Sequence, residues 1–220
     1  MLHSFRERAD EQVKRIFVVL ILSAICVFVT YTAAIGLSSA FAHDDFPESL
    51  AVKVELLPLI FPLHMITGAL ALILLPIVIL LRRRPRWHRL VGRIVALDVL
   101  VAGVTAFPVA WVAPVTIWSA AGFSAQAATW LTLLALGIRN IRRRRIAAHW
   151  TCMLLMVATT SGAVFFRVFL ALWAMFGTRR GFETFYACDA WVAWMLPLSV
   201  TALVLSLRRG RRGQEFGEAR

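Results

Sequence analysis

From Ile16 onward the chain alternates long apolar runs with short polar breaks, and this pattern governs every other expectation about it. The runs cover about 16–42, 57–81, 91–112, 115–138, 149–177 and 190–207. A helix needs roughly 20 apolar residues to cross a bilayer. The pattern predicts an all-α, polytopic integral membrane bundle of six transmembrane helices. Its clearest unit is 122–167, which reads GFSAQAATWLTLLALGI, then RNIRRRRIAAHW, then TCMLLMVATTSGAVFFR. Two spans joined by so short and basic a turn form a transmembrane hairpin.

Finer expectations follow from the breaks. Pro58, Pro62 and Pro76 should bend the second span, because each proline removes a backbone bond. Only Ala113-Pro114 separates spans three and four. The fifth run is too long for one perpendicular crossing, so it should tilt, or its part after Arg167 (VFLALWAMFG) should turn into the outer interface. The acidic stretch HDDFPESLAVKVE reads as an external loop, residues 1–15 as a polar leader and 208–220 as a disordered tail. This divides the chain into leader, a membrane domain over 16–207, and tail. Ala40-Phe41-Ala42 resembles a signal-peptidase site, but the preceding core exceeds the usual length of about 7–15 residues, which favours a retained helix.

Composition agrees. The chain is 60% hydrophobic and 16% charged, with a mean hydropathy of +0.76, whereas soluble domains carry about 25% charged residues. A net charge of +12 would suggest nucleic acid in a soluble chain. Here the arginines adjoin apolar runs, so the expected partners are the bilayer and its anionic headgroups, at about 1 kcal/mol per cation, and not nucleic acid. The leader, the two basic turns and the tail hold 20 of the 24 arginines and lysines. Lys53, Arg179 and Arg180 lie in the opposite segments, and Arg167 lies within a span. The positive-inside rule then places both termini in the cytoplasm, as in a multipass protein of an inner membrane. Cys26, Cys152 and Cys188 share no CxxC spacing and imply no disulfide framework.

The turns RRRPRWHRLVGR and RNIRRRRIAAHW place His88 and His149 alike, at the start of a returning helix. An internal repeat and the demand for arginine in every cytoplasmic turn explain this equally well.

Ionisable groups inside spans are costly and are functional candidates for that reason. His64 lies 17 residues from Leu81 and Arg167 lies 17 from Trp150. Both should therefore sit about 25 Å from the cytoplasmic edge at 1.5 Å per residue. They could share an outer pocket; alternatively Arg167 snorkels to headgroups and His64 bonds a neighbouring helix. Asp98 lies about 14 Å into the membrane by the same measure. Thr159, Thr160 and Ser161 reach a similar depth and are its expected donors. Asp98 is then a packing residue or one step of a proton path. His88 and His149, flanked by Trp87 and Trp150, are candidate axial ligands of a haem whose propionates neighbouring arginines would neutralise. No HExxH, P-loop, GxGxxG or Ser-His-Asp pattern appears, so no catalytic residue is assigned.

The motifs HMITG at 64–68, HRLVGR at 88–93, GF at 122–123, Trp130, His149 with Met153, and Arg167 resemble those of a bacterial membrane family, domain of unknown function 2306. The resemblance covers roughly 57–170 and implies an inner-membrane helical bundle with no assigned activity. A more distant likeness is to cytochrome b561-type membrane proteins, which implies haem b on transmembrane histidines. This chain departs from the two-haem pattern, holding one histidine deep in a span where four are wanted. Two functions are carried forward. One is a structural, assembly or interaction-type membrane protein, as a homo-oligomer or with a membrane-protein partner. The other is a haem-binding or redox protein using His64, His88 and His149, with Arg167 beside the cofactor.

Overall fold

The computed structural model describes residues 48–218, together with Val27, Thr30, Tyr31 and Ala34. The expected first span therefore lies largely outside the described residues. Within them the chain forms α1 (Glu48–Leu56), α2 (Ile60–Leu80), α3 (Pro85–Trp111), α4 (Ile117–Arg142), α5 (Ile146–Phe176) and α6 (Phe182–Glu218). Five helices, α2 to α6, are long and apolar enough to cross a membrane.

The helix ends follow local chemistry. Pro85 occupies the first turn of α3, where its missing N–H would have no helical partner. Between α3 and α4 the chain reverses through Ala113 at φ 44°. Thr116 and Ser119 then form a reciprocal capping box that starts α4. Arg144 takes the left-handed conformation, φ 57°, in the second arginine turn. Both arginine turns lie at one end of the bundle, where the Arg82 guanidinium sits 5.3 Å from the centroid of the Trp150 ring.

Successive helices pack antiparallel, α2 on α3, α3 on α4, α4 on α5 and α5 on α6, while α6 also lies along α4. The central core joins Leu75 and Val78 of α2, Val95 and Val99 of α3, Leu133 and Leu134 of α4, and Met156 of α5. Two glycines let α6 approach closely. A Cβ on Gly122 would lie 2.8 Å from the Ala190 carbonyl oxygen, and one on Gly162 would lie 2.5 Å from Trp194 Cβ. Small residues at such crossings allow the backbone proximity on which membrane helix packing depends. Polar ties join these helices as well: Gln126 Nε2 of α4 donates to Thr159 O of α5 at 3.0 Å, and Trp191 Nε1 of α6 to Trp118 O of α4 at 3.0 Å.

Several sequence expectations need correction. The acidic segment expected to be a loop is not all loop, since α1 occupies Glu48–Leu56. Its Lys53 Nζ donates to the carbonyl oxygens of Val109 at 2.7 Å and Val112 at 2.5 Å, tying α1 to the carboxyl end of α3. Of the three prolines, only Pro76 lies in the interior of α2; Pro58 precedes the helix and Pro62 falls in its first turn. The stretch after Arg167 does not turn aside. It continues α5 to Phe176, 31 residues in all, about 46 Å at 1.5 Å per residue. The expected disordered tail is helical through Glu218. Extending a formed helix needs no new nucleus, and Arg, Gln and Glu are good helix formers.

Candidate functional site

The two histidines of the arginine turns are held alike. His88 Nδ1 lies 2.9 Å from the carbonyl oxygen of Val78, and His149 Nδ1 lies 2.9 Å from that of Gly137. A carbonyl only accepts, so each Nδ1 donates to it; in the neutral imidazole that tautomer leaves the lone pair on Nε2. Each imidazole thus clasps the helix that enters its turn. The matching sequence positions are matching structural positions.

His64 is built the same way at a different level. Its Nδ1 lies 3.0 Å from Ala102 O and 3.3 Å from Thr105 Oγ1, both on α3. Ala102 is 14 residues beyond His88 on that helix, about 21 Å along its axis. The structure therefore separates His64 from His88; it does not gather the three imidazoles into one site. No group of three or more His, Cys, Asp and Glu side chains among the described residues could hold a metal ion.

Arg167 shares His64's half of the bundle, as its depth predicts. Its charge reaches His64. Its Nη1 donates to Ala163 O at 2.9 Å, one turn back along α5. Tyr186 of α6 lies within electrostatic reach of both Arg167 and Asp189. Its ring meets Phe166 edge-on at 5.3 Å and Phe123 edge-on at 6.1 Å.

Asp98 is buried, 8% exposed, and its Oδ2 has no hydrogen-bond partner among the described residues. The expected donors are committed elsewhere. Thr159, Thr160 and Ser161 donate to the carbonyls of Leu155, Met156 and Ala158 on their own helix. Hydroxyls in a helix satisfy themselves on the preceding turn whenever no better acceptor lies in line.

Sequence reasoning missed Asp189, which is 3% exposed with both carboxyl oxygens buried and unpartnered among the described residues. It stands one residue before the apolar run expected from Ala190, but α6 begins two turns earlier at Phe182. Hydropathy ends a span where polar residues begin, and the helix does not. Lys53 and Thr105 were missed for a different reason: their partners are 59 and 41 residues away at most, beyond any local pattern.

Five antiparallel apolar helices with basic turns at one end define a multipass membrane-embedded protein. Residues 61–205 match the family described as predicted membrane protein, domain of unknown function 2306, and the chain belongs to that family. The match extends past the 57–170 stretch that carries the motifs and takes in most of the span in α6. No curated protein and no solved structure matches the chain.

Proposed function

We propose that the protein is a structural or assembly-type component of a bacterial inner membrane, with its arginine-rich end on the cytoplasmic side against anionic headgroups. The observation that supports this reading is the commitment of all three imidazoles, each donating from Nδ1 to the backbone of a neighbouring helix. Polar groups used in this way join helices where lipid offers no hydrophobic drive to association. Such a protein acts through its shape and its contacts, as a homo-oligomer or with another membrane protein.

A second reading is favoured by one feature of the same clasps. An imidazole whose Nδ1–H is fixed on a carbonyl presents Nε2 as a ligand, the usual orientation at metal centres. His88 and His149 share the arginine-rich end, so haem b between them, its propionates met by the turn arginines, suits the residues present. Bound haem would supply one-electron chemistry, and these residues would hold and orient it.

Purification into nanodiscs from haem-supplied cells separates the readings. The assembly reading expects a colourless protein whose native mass reports a defined multimer or complex. A Soret band that weakens in His88→Ala or His149→Ala would replace it with the haem reading. A colourless monomer without any partner would overturn both.

A further inference from the structure

One face of α3 carries a series of polar contacts that no single sequence motif announces. Asp98, Ala102, Thr105, Val109 and Val112 follow one another at spacings of four, three, four and three. That spacing keeps the first four on one stripe of the helix, and Val112 is the residue that caps its end. The carbonyl of Ala102 and the hydroxyl of Thr105 hold His64. The carbonyls of Val109 and Val112 hold Lys53. One turn inward from His64 on α2 stands Thr67, a buried hydroxyl bonded to Leu63 O. The stripe spans about 21 Å, from the outer end of α3 to Asp98. Inward of Asp98 the face closes on Leu75, Val78, Val95 and Leu134, all buried in the central core.

We propose that this stripe is a one-sided proton path, through which Asp98 exchanges its proton with water at the end of the bundle where Lys53 lies. A buried carboxyl whose Oδ2 has no hydrogen-bond partner among the described residues is costly to ionise, and an intramembrane acid with access to one face only is a proton-exchange site. In the outward step the Asp98 O–H bond breaks as its proton passes to a water entering the stripe, and that water gives one of its own protons to His64 Nε2, where an N–H bond forms. The Nδ1 proton then leaves toward Thr105 Oγ1 and the water beyond. The return reverses the order; one proton moves and no electron does. The charged and titratable groups on the elements packed against α3 divide cleanly by end. α2 offers only His64, and α1 offers Lys53 and its acids Glu48 and Glu55 at the outer end. Arg82 and Arg83 of the first turn, and Arg139 and Arg142 of α4, are exposed at the arginine-rich end. Arg167 of α5 acts on His64 from the outer half.

The test uses the full chain in oriented proteoliposomes and N,N′-dicyclohexylcarbodiimide, which modifies protonated carboxyls in apolar surroundings. Asp98 labelling is read by mass spectrometry while the pH is varied on one side at a time. The expected result is labelling that falls as pH rises on the Lys53 side and is indifferent to pH on the arginine-rich side. His64→Phe should abolish the response to pH while leaving Asp98 labelled, and His64→Gln, which keeps a donor to Ala102 O, should do the same if the phenylalanine variant does not fold. Labelling that follows the arginine-rich side, an unlabelled Asp98, or a response unchanged by both His64 variants would overturn the path. The wild-type measurement decides sidedness without any substitution.

Discussion

His149 Nδ1 lies 2.9 Å from the carbonyl oxygen of Gly137, and this bond closes the second arginine turn as His88 closes the first. It bridges 12 residues and joins α4 to α5 near the end of the bundle, where the exposed arginines Arg142 to Arg145 repel one another. The clasp holds the helices together at the point where like charge would part them.

Removing a clasp takes the imidazole donor from a helical carbonyl. His149→Leu and His88→Leu should each destabilise the bundle by about 0.5–1.5 kcal/mol, the net contribution of one hydrogen bond. Asn in place of either histidine should recover part of that loss. Unfolding in mixed micelles, followed by circular dichroism, measures both effects.

Gly162 decides how closely α5 and α6 approach. A side chain there meets Trp194 Cβ at 2.5 Å and Gln126 Nε2 at 2.9 Å, so Gly162→Leu should push α6 off the bundle. Overpacking of this kind costs about 1–3 kcal/mol. A cysteine pair placed across α5 and α6 should crosslink in the parent protein and lose that crosslink in the variant.

Burial lowers the pKa of Lys53 from the usual 10.5. The folded chain then binds fewer protons than the unfolded chain over the window just below 10.5, so this residue's contribution to stability rises with pH through that window. It is lost as pH falls through the folded value. Compared with Lys53→Met, the parent protein should gain thermal stability as pH rises toward 10.5. Amine labelling of Lys53 should also reach half-maximum at lower pH in the folded protein than in the denatured one.

Asp189 has no hydrogen-bond partner to lose among the described residues. Asp189→Asn should therefore leave thermal stability within about 0.5 kcal/mol of the parent, and Asp189→Leu should be neutral or stabilising. A loss above about 2 kcal/mol in the asparagine variant would mean that an ionised carboxylate is needed there.

How much was legible in the sequence depended on the range of the forces involved. Apolar runs of about 20 residues and the partition of arginines were enough to identify a polytopic bundle and its hairpins, because lipid imposes those patterns on each helix separately. The matching of His88 with His149, and of Arg167 with His64 in depth, also followed from the chain, since helical rise converts residue number into height. Which groups touch was decided only by the tertiary structure. Neighbouring helices bring Ala102 to His64 and Val109 to Lys53, while Thr159, Thr160 and Ser161 turn their hydroxyls to their own helix and leave Asp98 without them. Height along a helix is a local property of the chain, but the rotation of one helix against another is set by the packing of all of them.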